Sequence, residues 1–154
     1  MNAVLQTLKY TLLAAFLISF LGLSACSRPV LQFSDGSNKA LDAYAGQWLL
    51  INYWAIWCKP CVEEIPELNA LDKDARVTVL AYNFDGKQNE ALAEQAEKLQ
   101  LELDMLLVAP ETLFEQEAPN GLPATLIVNP EGEFHSWLMG PQTKAGILKR
   151  LGLL

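Results

Sequence analysis

The chain has 154 residues, 51% of them hydrophobic, with 11 basic against 18 acidic side chains, one His and three Cys. That length suits a single hydrophobic core, and 19% charged residues without a low-complexity tract exclude a disordered chain. The formal charge of −7, with basic residues scattered rather than clustered, lacks the electropositive footprint needed on phosphate backbones, so no nucleic-acid partner is expected.

Met1 to Ala25 carries one charged side chain, Lys9, and the stretch from Tyr10 to Leu23 is apolar. As a helix it would span roughly 21 Å, short of a hydrocarbon core of roughly 30 Å, so it reads as a secretory h-region rather than a permanent span. An uncleaved anchor helix is the competing reading, and both place the following domain outside the cytoplasm. Leu23-Ser24-Ala25-Cys26 resembles the lipobox of bacterial lipoproteins. The resemblance implies a diacylglyceryl thioether on Cys26, cleavage ahead of it, and attachment of the chain to a lipid bilayer. Residues 1–25 are then a signal peptide, 26–29 a lipidated tether and 30–154 the domain. Ser27 is not the Asp that often signals inner-membrane retention, and the choice between inner and outer membrane stays open. Lipidation of Cys26 leaves Cys58 and Cys61 as a pair in an oxidising compartment, with no structural disulfide framework, so the core must hold the fold.

Along the domain, Val30 to Phe33, Asp35-Gly36 and Lys39 to Leu41 predict a small hairpin leading to a turn at Gly46. Trp48 to Trp54 is an almost continuous apolar run, as expected of a central strand covered on both faces. Lys59 to Leu71 places Val62, Ile65, Leu68 and Leu71 at helical spacing, and Val77 to Tyr82 returns to a strand pattern. Gln88 to Gln100 predicts a helix with Leu92, Ala96 and Leu99 on one side, Met105 to Val108 a short strand, and Thr112 to Gln116 a further helical turn. Ala124 to Val128 and Glu133 to Leu138 form an antiparallel hairpin around Asn129-Pro130-Glu131-Gly132, and Thr143 to Leu151 is a closing helix. The pattern is one α/β domain, a mixed sheet flanked by helices.

The chemistry-bearing segment is Trp57-Cys58-Lys59-Pro60-Cys61, where the buried strand runs into a Cys-x-x-Cys at a helix start. The first helical turn has unpaired N–H groups and about half a positive charge, both favouring a thiolate, which makes Cys58 the candidate nucleophile. Cys61 lies one turn deeper on the same face, placed to resolve a mixed disulfide on Cys58. Pro60 is tolerated in a first turn and Lys59 adds positive charge, so both are read as tuning the couple. A structural zinc site wants four ligands, and only His135, isolated in a predicted strand, remains to help; no metal and no cofactor are expected. Cu(I) on the bare pair, in a copper-handling or non-enzymatic tethered interaction module, is the alternative.

Asn52-Tyr53-Trp54-Ala55-Ile56-Trp57-Cys58-Lys59-Pro60-Cys61 resembles the active-site segment of TlpA/ResA-like thioredoxin-fold thiol-disulfide oxidoreductases. Pro66 falls where such helices kink, and Gly121-Leu122-Pro123-Ala124-Thr125 resembles the segment bearing the family's cis-proline. The resemblance covers nearly all of Val30 to Leu154. It implies a thioredoxin-like sheet with a TlpA-type N-terminal hairpin and a central helix-strand insertion. It further implies that Pro123 is cis and that Leu122 offers backbone hydrogen bonds to an extended substrate. Glu64 matches a family Glu beneath the active-site disulfide, where a buried carboxylate would relay a proton for Cys61. Asn52 stands where classical thioredoxins have a buried Asp, which moves acid-base duty toward Glu64. Trp57 is expected to flank the cysteines on a docking surface, Trp54 to sit in the core, and Trp48 and Trp137 to pack.

The activity implied is a membrane-tethered envelope oxidoreductase that reduces disulfides of exported proteins with electrons from a membrane thiol donor. Direction is not fixed by Lys59-Pro60. Gln116 to Asn120 shows no match to the loop typical of cytochrome c maturation proteins, so no haem role is assigned. A peroxidase would want a lone reactive Cys in a different setting.

Overall fold

The computed structural model describes residues 29–154. The predicted signal peptide, the lipobox with Cys26 and all of the tether except Pro29 lie outside the described residues.

Strands β1 (Val30–Gln32) and β2 (Asn38–Ala40) form an antiparallel hairpin, followed by a 3-10 turn over Leu41–Tyr44. The main sheet contains β3 (Trp48–Trp54), β4 (Val77–Asn83), β5 (Asp104–Leu106), β6 (Ala124–Val128) and β7 (Phe134–Met139), in the order β5-β4-β3-β6-β7. β3, β4 and β5 run parallel, while β6 and β7 are antiparallel additions, so β3 is the central strand. The helices are α1 (Lys59–Leu71), α2 (Asn89–Leu99), the single turn α3 (Pro110–Leu113) and α4 (Lys144–Arg150). The expected mixed thioredoxin-like sheet is present, with the helix-strand unit α2-β5 inserted after β4.

β3 divides the core by its period of two. Leu50 and Trp54 enter one cluster with Leu68 and Leu71 of α1, Leu92 of α2 and Ile147 and Leu148 of α4. Leu49, Ile51 and Tyr53 enter the other, with Leu31, Phe33 and Leu41. The crossovers β3-α1-β4 and β4-α2-β5 step the same way along the sheet, and crossovers of one hand then place both helices on one face. The opposite face is covered by the hairpin, the 3-10 turn and α3 rather than by a long helix. Aromatic side chains fill the space: Tyr53 meets Tyr82 and Trp137 edge-on at 5.3 and 5.4 Å.

The hairpin also closes a sheet edge. Ser34 N donates to Met105 O at 2.9 Å and Leu107 N to Gln32 O at 2.9 Å, so the N-terminal segment pairs with β5 where an open edge would otherwise face solvent. β5 ends at Leu106, short of the predicted Val108. The predicted turn at 112–116 begins earlier because Pro110 occupies the first helical position, and it ends where Glu115 adopts a left-handed φ of 52°.

α3 is fastened to β3 by one side chain. Tyr53 Oη donates to Glu111 Oε2 at 2.6 Å and accepts from Glu111 N at 3.0 Å. Burial, reinforced by the Glu111 contact, pushes the Tyr53 phenol far above its usual value, so it stays protonated and able to donate. Tyr53→Phe leaves the Glu111 N–H unpaired and should cost about 1–3 kcal/mol in urea unfolding, with faster amide exchange confined to residues 110–116. Unchanged exchange there would show that α3 is held by packing alone.

Candidate active site

β3 ends at Trp54, and a turn closed by Cys58 N to Ala55 O (3.0 Å) brings the chain to the start of α1. Cys58 is the N-cap residue, with extended φ and ψ of −85° and 94°, and its Sγ accepts the Cys61 N–H at 3.3 Å. The sulfur thus occupies the place where a helix N-terminus offers its free donors. Cys58 and Cys61 are joined as a disulfide. Both are buried, Cys58 at 5% exposure and Cys61 at 1%, so Cys58 is the outer of the two.

The sheet brings three loops to this end. Trp54 pairs with Asn83 at the close of β4, and Phe84 N donates to Trp54 O at 2.8 Å. β6 runs antiparallel to β3 and pairs Ala124 with Tyr53, so Pro123 stands at the same end. Loops beyond the C-terminal ends of parallel strands are the usual location of sites in such sheets. The Leu122–Pro123 bond is cis, Pro123 is buried, and Leu122 packs against the cluster that contains both cysteines.

Trp57 is 62% exposed. Its Nε1 donates to both oxygens of Asp85, at 3.1 and 3.0 Å, and its ring stands edge-on to Phe84, itself 41% exposed. Lys59 Nζ lies 3.7 Å from Glu63 Oε1 on the exposed side of α1, and Pro60 sits in the first turn. Trp54 is fully buried. His135 packs edge-on against Trp48, at the opposite end of β3 from the cysteines. Among the described residues, no group of three or more His, Cys, Asp or Glu side chains is placed to hold a metal ion.

Beneath the disulfide lies a polar network inside an apolar core. Glu64, one turn beyond Cys61, is 2% exposed and is the one fully buried charged side chain among the described residues. Its Oε1 accepts from Asn52 Nδ2 at 2.7 Å and its Oε2 from the Gln142 backbone N–H at 2.9 Å. Asn52 Nδ2 also donates to Thr125 Oγ1 at 3.1 Å, across the β3–β6 register that pairs these two residues. Burial raises the Glu64 pKa above the ordinary carboxylate value, while the Gln142 and Asn52 hydrogen bonds pull it back in part.

Gln142, Phe84 and Asp85 are not among the residues expected in this region, and Thr125 is expected there only as a member of the cis-proline segment, without a role of its own. Phe84 and Asp85 follow directly from the predicted end of β4, and a parallel neighbour of β3 must end beside the cysteine turn, so that signal was available. Gln142 supplies only a peptide N–H, which leaves no mark in side-chain chemistry.

Fold and site together define a thioredoxin-fold thiol-disulfide oxidoreductase. The chain belongs to the AhpC/TSA family, whose model matches residues 29–135. It is similar to the thiol-disulfide oxidoreductase ResA of Geobacillus kaustophilus, 29% identical over 79% of this chain and 71% of that protein. ResA of Geobacillus thermodenitrificans is 27% identical over 96% of this chain and 88% of its own length. Among solved structures, the pneumococcal exposed lipoprotein thioredoxin Etrx1 of Streptococcus pneumoniae superposes with a TM-score of 0.68 at 25% identity, covering 83% of this chain and all of the other.

Because the native pKa of Glu64 is raised, the folded protein binds more protons at this site than the unfolded chain does. Stability therefore falls as pH rises from the ordinary glutamate value of 4.5 to the raised native value, and is level above it. Urea titrations of the oxidised protein should show wild type losing stability relative to Glu64→Gln across that window. A pH-independent difference between the two would mean that Glu64 titrates normally.

Proposed function

We propose that the Cys58/Cys61 couple reduces disulfides of exported proteins on the outer side of a membrane to which the chain is tethered through Cys26. The observation that carries this reading is the Cys58–Cys61 disulfide capping α1 directly above a buried carboxylate.

In the reduced protein the Cys58 thiolate, favoured by the N-terminal donors of α1, attacks one sulfur of a client disulfide. The other client sulfur leaves as a thiolate and takes a proton. Cys61 then loses its proton to Glu64, attacks Cys58 Sγ, and releases the second client sulfur. Two electrons and two protons pass to the client, and Cys58 and Cys61 end as a disulfide. A membrane dithiol donor restores the dithiol by the reverse exchange. Cys58 attacks first because it is the less buried of the pair, and Glu64 suits the second step because burial raises its basicity toward that of a thiol.

Leu122 contributes backbone hydrogen bonds to an extended client segment beside Pro123, in the manner of an added strand. Trp57, with Phe84 alongside, provides apolar docking area, and Asp85 holds the indole in place. Lys59 and Pro60 tune the couple, Lys59 weakly because its ammonium is exposed and faces Glu63. The lipobox-like Leu23-Ser24-Ala25-Cys26 supports tethering, as does likeness to a protein described as an exposed lipoprotein.

Cys61→Ser should accumulate mixed disulfides on Cys58 with extracytoplasmic proteins, and Cys58→Ser should accumulate none; non-reducing gels followed by mass spectrometry read this out. Trapping on Cys58→Ser instead would reverse the order of attack, and a couple whose potential approached about −120 mV would reverse the direction of transfer. Wild type should incorporate labelled fatty acid and lose residues 1–25, and Cys26→Ser should do neither, read by intact mass; a wild type that is neither labelled nor shortened would leave the uncleaved anchor helix as the tether.

A further inference from the structure

The Asn52 side chain does more than fill the position beneath α1. Both hydrogens of its amide are committed, one to Glu64 Oε1 at 2.7 Å and one to Thr125 Oγ1 at 3.1 Å. A flipped amide would set a carbonyl oxygen against the carboxylate, so only the orientation with the nitrogen toward Glu64 is compatible with an ionised acid. The carboxylate sets that orientation, and Thr125 Oγ1 accepts the remaining amide hydrogen from the neighbouring strand.

We propose that Asn52 is the positioning residue of this site: its amide, steadied by the Thr125 hydroxyl, holds the Glu64 carboxylate in the geometry in which it takes the Cys61 proton. The inference rests on the proton-transfer reading of Glu64 given above. Each Glu64 oxygen accepts one hydrogen bond and keeps a second lone pair, so the acid can take a proton while both donors hold it in place. The Gln142 N–H belongs to the backbone of the segment between β7 and α4, which is anchored nearby by Lys144 N donating to Glu67 Oε2 at 2.8 Å. Of the two donors, Asn52 is therefore the side chain whose substitution can change how the carboxylate is held. An Asp at position 52 could not serve in this way, because an ionised Asp has no hydrogen to donate.

The electrostatic surroundings leave Asn52 as the dominant side-chain influence. On this face β3 and β6 present Asn52 and Thr125, both uncharged, while Tyr53 of β3 and Tyr82 of β4 belong to the opposite core. α1 itself carries the cysteine pair and Glu67, plus Lys59 and Glu63 paired on its exposed side. From α4, Lys144 turns its Nζ to Ala70 O at 2.9 Å, and Lys149 and Arg150 are exposed. Of the α2 charges, Glu90, Glu94, Glu97 and Lys98 all face solvent.

The test follows Cys61 resolving a glutathione mixed disulfide formed on Cys58, with its rate measured across pH. In wild type, the inflection on the acid side reports Glu64, and Glu64→Gln should abolish it. Asn52→Leu should move that inflection up by about one pH unit, which is about tenfold in rate on its acid side. Thr125→Val, nearly isosteric and the safer variant for folding, should move it in the same direction by less. In the Glu64→Gln background, Asn52→Leu should change nothing further. If Asn52→Leu and Thr125→Val slow the reaction equally at every pH while Glu64→Gln removes the inflection, Asn52 is only structural and the proposal fails with the Glu64 reading intact. If Glu64→Gln leaves the profile unchanged, the proton-transfer reading itself fails. Should Asn52→Leu not fold, an unmoved inflection in Thr125→Val overturns the proposal by itself.

Discussion

A carboxylate held in an apolar interior is the constraint around which this domain is organised. An isolated buried charge costs many kcal/mol, and Glu64 is tolerable because donors reach both of its oxygens. Those donors come from the middle of β3 and from the segment after β7, and Thr125 of β6 completes the arrangement. Elements distant in sequence must therefore converge before the acid is satisfied. Once they do, the rotation and depth of α1 against the sheet are set from its polar side as firmly as Ile65, Leu68 and Leu71 set them from its apolar side. Cys61 and Cys58, three and six residues upstream on the same helix, inherit that placement.

Other contacts reinforce the same helix. Glu67 accepts from Lys144 N, Lys144 Nζ reaches Ala70 O, and Asp72 at the C-cap accepts from Val79 N at 2.7 Å. α1 is thus tied to β4 at its C-terminus, to α4 along its length and to β3 through Glu64. Its N-terminus, where the disulfide lies, is the end with the least polar tethering. Three loops meet there and Trp57 and Phe84 remain open to solvent. A site that must admit a protein disulfide gains from this distribution, because rigidity lies behind the cysteines and access in front of them.

Much of this was legible in the chain. The apolar run Trp48 to Trp54 could only be a strand covered on both faces, and helical spacing with Pro60 in the first turn fixed Lys59–Leu71 to the residue. A buried Glu64 was implied by its match to a family Glu beneath the disulfide, and the structure buries it while exposing its neighbour Glu63. The remainder depended on information that no local pattern holds. Which layer covers the second face is decided by the direction in which successive crossovers step. The partner that covers the β5 edge is a hairpin far upstream in the chain. Thr125 looks like any strand threonine until the register with Asn52 is known, and the Gln142 contact is made by a peptide group that every residue possesses.

The two cysteines pose opposite electrostatic problems, and the architecture treats them differently. The field of a helix N-terminus falls off within the first turn, so its benefit goes to Cys58, whose sulfur already accepts the Cys61 N–H. Cys61 sits a turn inside, 1% exposed among apolar side chains, where desolvation disfavours its thiolate. Dipole stabilisation alone would give an enzyme able to attack a client but slow to let it go. In the proposed mechanism a base within the core answers the second need. Burial raises the Glu64 pKa and the Asn52 and Gln142 donors lower it in part, so in that mechanism the polar network serves the inner thiol as the helix N-terminus serves the outer one.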